Sequence, residues 1–190
     1  MQEIKIFYPA NLTVWRTWLE KKHVSEQAVW LVFYKKSSAK ASITWSDAVD
    51  IALCFGWIDS KKIKIDDETS HQFFSKRKPK SAWSKINKAK VKRLIDEKLM
   101  TDAGYKAIET AKQNGSWTLL DEVEELIIPK DLQTQFEDNP NAKAYFLSLS
   151  KSNKKMILHW VSFAKRPETR LKRIREIVAL ASERQKPGRL

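Results

Sequence analysis

Apolar positions along the chain follow two regimes. Up to about residue 76, strand and helix spacings alternate; from Pro79 onward the spacing is helical throughout. Ile4-Lys5-Ile6-Phe7 reads as a short strand. Leu12, Trp15, Trp18 and Leu19 share one helical stripe behind Asn11, a natural cap. Val29 to Tyr34 is β-branched and aromatic and too short for a typical helix, which predicts a buried strand. Thr44 followed by Asp47 forms a capping box that opens a helix through Cys54, and Gly56 ends it. Residues 57–65 and 71–76 read as two strands around an Asp66 to Thr69 turn.

In the second regime, Ser81 is placed to cap a helix carrying Ile86, Val91, Leu94, Ile95 and Leu99. Thr101 is placed to cap another that stops at Asn114-Gly115. Asp131 and Asn139-Pro140 mark two further starts, with Pro140 at the first helical position. Met156, Ile157, Trp160, Val161 and Ala164 form one stripe, and Leu171, Ile174, Val178 and Ala181 form another beyond Pro167; the two helices are expected to pack as a hairpin. The tail from Gln185 to Leu190 is expected to fray. The expected fold is α+β, with a small antiparallel sheet and packed helices in residues 1–115 and a helical subdomain in residues 116–190.

Composition supports a folded core, with eight Trp and eight Phe in 190 residues. The longest nearly apolar run, Ile51 to Ile58, is far short of the roughly 20 residues that span a bilayer. With no export signal and a single cysteine, a cytoplasmic protein is expected. His23, His71 and His159 are scattered, so no metal is expected, and the lack of a Gly-rich phosphate loop or dinucleotide fingerprint points to no cofactor. Cys54 lies in the apolar string Ala52-Leu53-Cys54-Phe55 and reads as a core residue, since nothing beside it would stabilise a thiolate.

Charge changes the picture more. The formal net charge is +13. Residues 76–98 hold ten Lys/Arg against two acids, a net of +8, and residues 151–175 hold nine against Glu168, again +8. Residues 117–140 hold seven acids against Lys130, a net of −6. Such segregation points to an anionic partner, or else to solvated helix faces. The first segment also mixes cations with aromatics and hydroxyls, the combination that holds phosphates and bases. Arg77, Lys78, Lys80, Ser81, Trp83 and Ser84 are its candidate ligand-binding residues. Asp59, near the start of a strand, joins them as a carboxylate that could meet Arg77 across a hairpin, either as a fold-fixing ion pair or as the lining of a polar cleft.

Three strings, Ala52-Leu53-Cys54-Phe55-Gly56-Trp57-Ile58-Asp59-Ser60, Arg77 to Asn87, and Met100-Thr101-Asp102-Ala103-Gly104, resemble the YdeI/OmpD-associated family, also labelled bacteriocin-protection proteins. So do Ile128-Pro129-Lys130-Asp131-Leu132, Asn139-Pro140 and Ala164 to Arg170 with Arg173-Ile174. The resemblance implies links to envelope stress and antimicrobial-peptide resistance, and it supplies no catalytic residues. Some members of the family are described as periplasmic, whereas no export signal is expected here, and Lys98 stands where glycine is usual, a change expected only to add positive charge. The leading expectation is a non-enzymatic binding protein for an anionic ligand or nucleic acid. The alternatives are an enzyme acting on a small anionic substrate near Asp59 and Arg77, and an interaction module that docks a protein through its C-terminal helices.

Overall fold

The computed structural model describes residues 4–186, which divide into two compact units, one ending at Trp117 and one beginning at Thr118. The end of the tail expected to fray, residues 187–190, lies outside the described residues.

The first unit runs β1 (Ile6–Phe7), α1 (Leu12–Lys22), β2 (Ala28–Tyr34), α2 (Trp45–Cys54), β3 (Trp57–Lys64), β4 (Thr69–Lys76), α3 (Lys85–Asp96) and α4 (Asp102–Gln113). Its sheet has the order β1-β2-β4-β3. The β2–β4 and β3–β4 pairs are antiparallel as expected, but β1 joins β2 in parallel, because α1 carries the chain back before β2 begins. Alternate residues of β2 (Val29, Leu31 and Phe33) turn into a core with Trp15, Leu53, Trp57, Phe74 and Trp83. Asn11 accepts from the Val14 amide and Thr44 from the Asp47 amide, so both caps form as the sequence predicts. The Asp66 carboxylate accepts from the amides of Glu68 and Thr69 and closes the β3–β4 turn. These two bonds hold its carboxyl below the usual carboxylate range.

Two glycines fix the approach of α4 to the end of α2. Gly56, at φ +69°, lies where a Cβ would come within 2.9 Å of the Ala103 carbonyl oxygen. At Gly104 a Cβ would collide with the carbonyl of Cys54. Thr101 does not cap α4 with its side chain: its hydroxyl donates 2.6 Å to that same Cys54 carbonyl, which ties the α4 start to the α2 end. Cys54 itself is buried, and burial pushes its thiol pKa up, as a core residue requires.

The second unit is helical: α5 (Asp121–Glu124), α6 (Lys130–Glu137), α7 (Pro140–Ser148), α8 (Lys151–Ser162) and α9 (Pro167–Ser182). α8 and α9 pack together, but the most extensive partner of α9 is α7. The buried faces also sit differently from the expected stripes. Leu158 and Ile177 are buried, whereas Met156 and Leu171 are partly exposed. The stripes shift because α9 must face α6, α7 and α8 at once rather than a single neighbour.

Candidate functional site: a guanidinium without an acceptor

The segment after β4 does not enter a helix at Ser81. The Ser81 hydroxyl and amide both bond the Lys78 carbonyl, at 2.9 Å each, and so close a turn. Ser84 is the residue that caps α3, by accepting from the Asn87 amide. The intervening turn exists because Trp83 is drawn into the core, only 1% exposed, and must be reached from the sheet edge.

Arg77 stands at that edge. Its backbone amide donates 2.9 Å to the Gly56 carbonyl, so the glycine turn after α2 helps to position it. Its guanidinium carbon lies 3.6 Å from the centre of the Trp83 ring, a close cation–π stack. Nη2 donates 2.5 Å to the Ala82 carbonyl. Nε and Nη1 are buried and have no acceptor. Burial lowers the Arg77 pKa to about 10, against the opposing pull of the Asp59 carboxylate, so the group stays protonated at neutral pH. A buried N–H without a partner costs about 1–3 kcal/mol, more when charged, and such a cost is usually tolerated for a reason.

Arg77 lines a cleft of about 430 Å³. The apolar wall comes from Phe55, Trp57, Pro79, Trp83 and Ala103. Trp57 is fully buried, and its Nε1–H is a further donor without an acceptor. The cationic rim is Lys76, Lys78 and Lys106, with His23 beside them. Lys76 is tethered by donating 2.7 Å to the Val24 carbonyl, and His23 donates through Nδ1 to the Leu19 carbonyl. The ammonium groups of Lys78 and Lys106 have no ion-pair partner among the described residues. The cleft is therefore an apolar slot with positive charge around its mouth, and the unspent donors of Arg77 and Trp57 lie covered just behind its wall.

Of the candidates named from the sequence, Arg77, Lys78 and Trp83 line this cleft; Lys80, Ser81 and Ser84 do not. Asp59 is absent from it as well and forms no ion pair with Arg77. Its Oδ2 accepts instead from Trp45 Nε1 at 2.9 Å and from Gln72 Nε2 at 3.1 Å. A bulge in β3 between Asp59 and Lys62 shapes this arrangement, and the same Gln72 amide satisfies the Ser60 carbonyl within the bulge. The sequence reading did not single out Lys76, next to Arg77, and it missed Phe55, His23 and Lys106, which arrive from other segments. The available signal was glycine: Gly56 and Gly104 mark where backbones close in around the site.

Fold and cleft together define a two-part protein: an α+β unit that presents unspent donors, followed by a helical unit. Residues 7–107 match the family model described as Domain of unknown function (DUF8412), and residues 125–184 match the one described as Bacteriocin-protection, YdeI or OmpD-Associated. The chain belongs to the DUF8412 family, and its second unit carries the YdeI/OmpD-associated, bacteriocin-protection domain. The three N-terminal diagnostic strings fall within the first match and the distal ones within the second. Searches of curated proteins and of solved structures each returned no significant match. No helix among the described residues is long and apolar enough to cross a membrane.

Proposed function

We propose that this protein binds a small organic anion, a carboxylate or phosphate attached to an apolar body, in the Arg77 cleft. The observation that carries this reading is the pair of buried Arg77 N–H groups without acceptors beside the equally unpartnered Trp57 indole N–H. These N–H groups are covered as they stand, so binding requires a small swing of the Arg77 side chain toward the cleft, where an oxyanion would supply the missing acceptors. Charge-assisted bonds to guanidinium are among the stronger hydrogen bonds. The apolar wall would cover the rest of the ligand, and the rim lysines would speed its approach. Asp59 makes no ion pair with Arg77 and is bound instead by Trp45 and Gln72, which favours binding over acid–base chemistry in the cleft.

Phenyl phosphate is a suitable probe, with inorganic phosphate and phenol as its two halves. Calorimetry should show phenyl phosphate binding more tightly than either half. Arg77→Met, which keeps the side-chain volume, should weaken it by at least about thirtyfold. The same variant should melt no lower than the parent, because it removes a buried charge that makes no ion pair, Asp59 acting on it only from a distance. Equal binding by parent and variant, or none by the parent, would overturn the reading.

A further inference from the structure

The mixture of exposed aromatic surface and free cations that the sequence suggested for residues 76–98 is found elsewhere in the first unit. Trp83 is buried under Arg77 and offers no open face. Trp45, at the start of α2, is 54% exposed. Its indole is held in place by Nε1–H donation to Asp59. The ring stands at the edge of a cleft of about 690 Å³ with Tyr34 on the wall and the buried Gln72 on the floor.

Four lysines line the same cleft: Lys35, Lys36, Lys40 and Lys62. None has a carboxylate partner among the described residues. Lys40 instead rests 4.8 Å from the Tyr34 ring centre and donates to its hydroxyl at 3.3 Å. Gathering four ammonium groups around one opening is unfavourable, and the charge of Asp66, which interacts with Lys40, offsets only part of it. The loop that carries three of them is nevertheless pinned. The Tyr8 hydroxyl donates 2.5 Å to the Ala41 carbonyl, the Tyr34 amide donates 3.1 Å to Ser42 Oγ, and the Lys35 amide donates 2.9 Å to the Glu68 carbonyl. Ser38, Ser42 and Ser70 add hydroxyls to the lining. The Arg77 cleft shares none of these lining residues, so this is a separate site.

We infer that the Trp45 cleft binds a nucleobase carrying phosphate, with the base stacked on the exposed indole and the phosphate among the four lysines. An anchored indole face is a sequence-tolerant platform, because every base has a π face. The lysines supply point charges for phosphate and Ser70 a hydroxyl donor, while the Ser38 hydroxyl donates to Glu68 and that of Ser42 to the Ile43 carbonyl. The same chemistry is offered by a free nucleotide and by a single strand.

Fluorescence anisotropy with a short fluorescein-labelled oligothymidylate at low salt tests this, with thymidine monophosphate and inorganic phosphate as competitors. The labelled strand should bind, and Trp45→Ala should weaken it about tenfold or more. Trp45→Phe should keep most of the affinity and serves as the folding control. Combining Lys36→Ala with Lys62→Ala should flatten the dependence of log K on log salt by about 1.4, at roughly 0.7 for each phosphate no longer neutralised. Displacement by the mononucleotide well below the inorganic phosphate concentration needed would assign the site to free nucleotides; resistance to it would assign the site to strands. Arg77→Met should leave strand binding unchanged, which separates this site from the anion cleft. No binding by the parent, full binding by Trp45→Ala, or loss of strand binding in Arg77→Met would each overturn the inference.

Discussion

Residues 76–98 and 151–175 carry the same formal charge and employ it differently. In the second segment the arginines with defined partners are satisfied within their own unit. Arg170 meets both oxygens of Asp131, at 2.5 and 2.9 Å, and also donates to the Val161 carbonyl. Arg173 donates 2.6 Å to the Trp160 carbonyl while lying over that indole. Lys155 pairs with Glu124 at 2.5 Å. The first segment is divided. Its helical part is paired, with Lys90 and Arg93 both on Asp50, whereas Arg77 in the preceding turn is buried with two N–H groups unspent. Net charge alone would rank the two segments equally. The accounting of acceptors separates them, because a satisfied cation describes a fold and an unsatisfied buried one invites a ligand.

If the pairing on Asp50 is what makes the helical half of the first segment structural, breaking it should cost stability and spare binding. Asp50 and Lys90 are each only 15% exposed at the side chain. Asp50→Asn keeps the shape but leaves Lys90 without a counter-charge and Arg93 with Glu97 alone, and it should destabilise the protein by about 2 kcal/mol, read from urea unfolding. Phenyl phosphate affinity should stay within about twofold of the parent. A variant that kept its stability would place Lys90 and Arg93 among the free cations and erase the division within the segment.

The Arg170–Asp131 pair gives a smaller effect with a pH signature. Hydrogen bonding from Arg170 holds the Asp131 carboxyl below its usual range. A depressed carboxylate contributes stability above its unfolded pKa, about 4, and loses that contribution as pH falls through the lower folded value. Both side chains are partly exposed, so Arg170→Ala should cost about 1 kcal/mol at pH 7, with thermal melting as the measure. The difference between parent and variant should shrink once the pH is taken well below 4. A gap that persists there would assign the role of Arg170 to its bond with Val161 and to packing instead.

How much of this was legible depended on whether the deciding contact is local. Asn11, the Thr44–Asp47 box and Pro140 each act within one turn of their own helix, and the sequence located all three. The β2 strand was equally plain, since a run such as Val29 to Tyr34 has few alternatives to burial. Ser81 and Ser84 are both serines ahead of a helical stripe, and only the burial of Trp83 under Arg77 decides which one caps. Asp59 was singled out as a carboxylate that could meet Arg77, but its hydrogen-bond partners are Trp45 and Gln72. Those partners lie on a helix and a neighbouring strand, and no spacing along the chain reveals them. The clefts were illegible for the same reason, because each is assembled from segments far apart in sequence.

Lys98 sharpens the comparison at its smallest scale, since the sequence presents it as one more positive charge in the first segment. Its backbone instead gives it a different meaning. After α3 the Leu99 amide bonds the Leu94 carbonyl and the Lys98 amide bonds that of Ile95, a Schellman closure that places Lys98 at φ +58°. A side chain at that angle crowds its own backbone, and glycine does not. Lys98→Gly should therefore stabilise the protein by about 0.5–1 kcal/mol in urea unfolding, despite the greater freedom glycine gives the unfolded chain. Lys98→Ala, which removes the same charge but keeps a Cβ, should bring no such gain. If alanine stabilised as much as glycine, relief of charge repulsion within the segment would be the cause, and Lys98 would belong with the free cations after all.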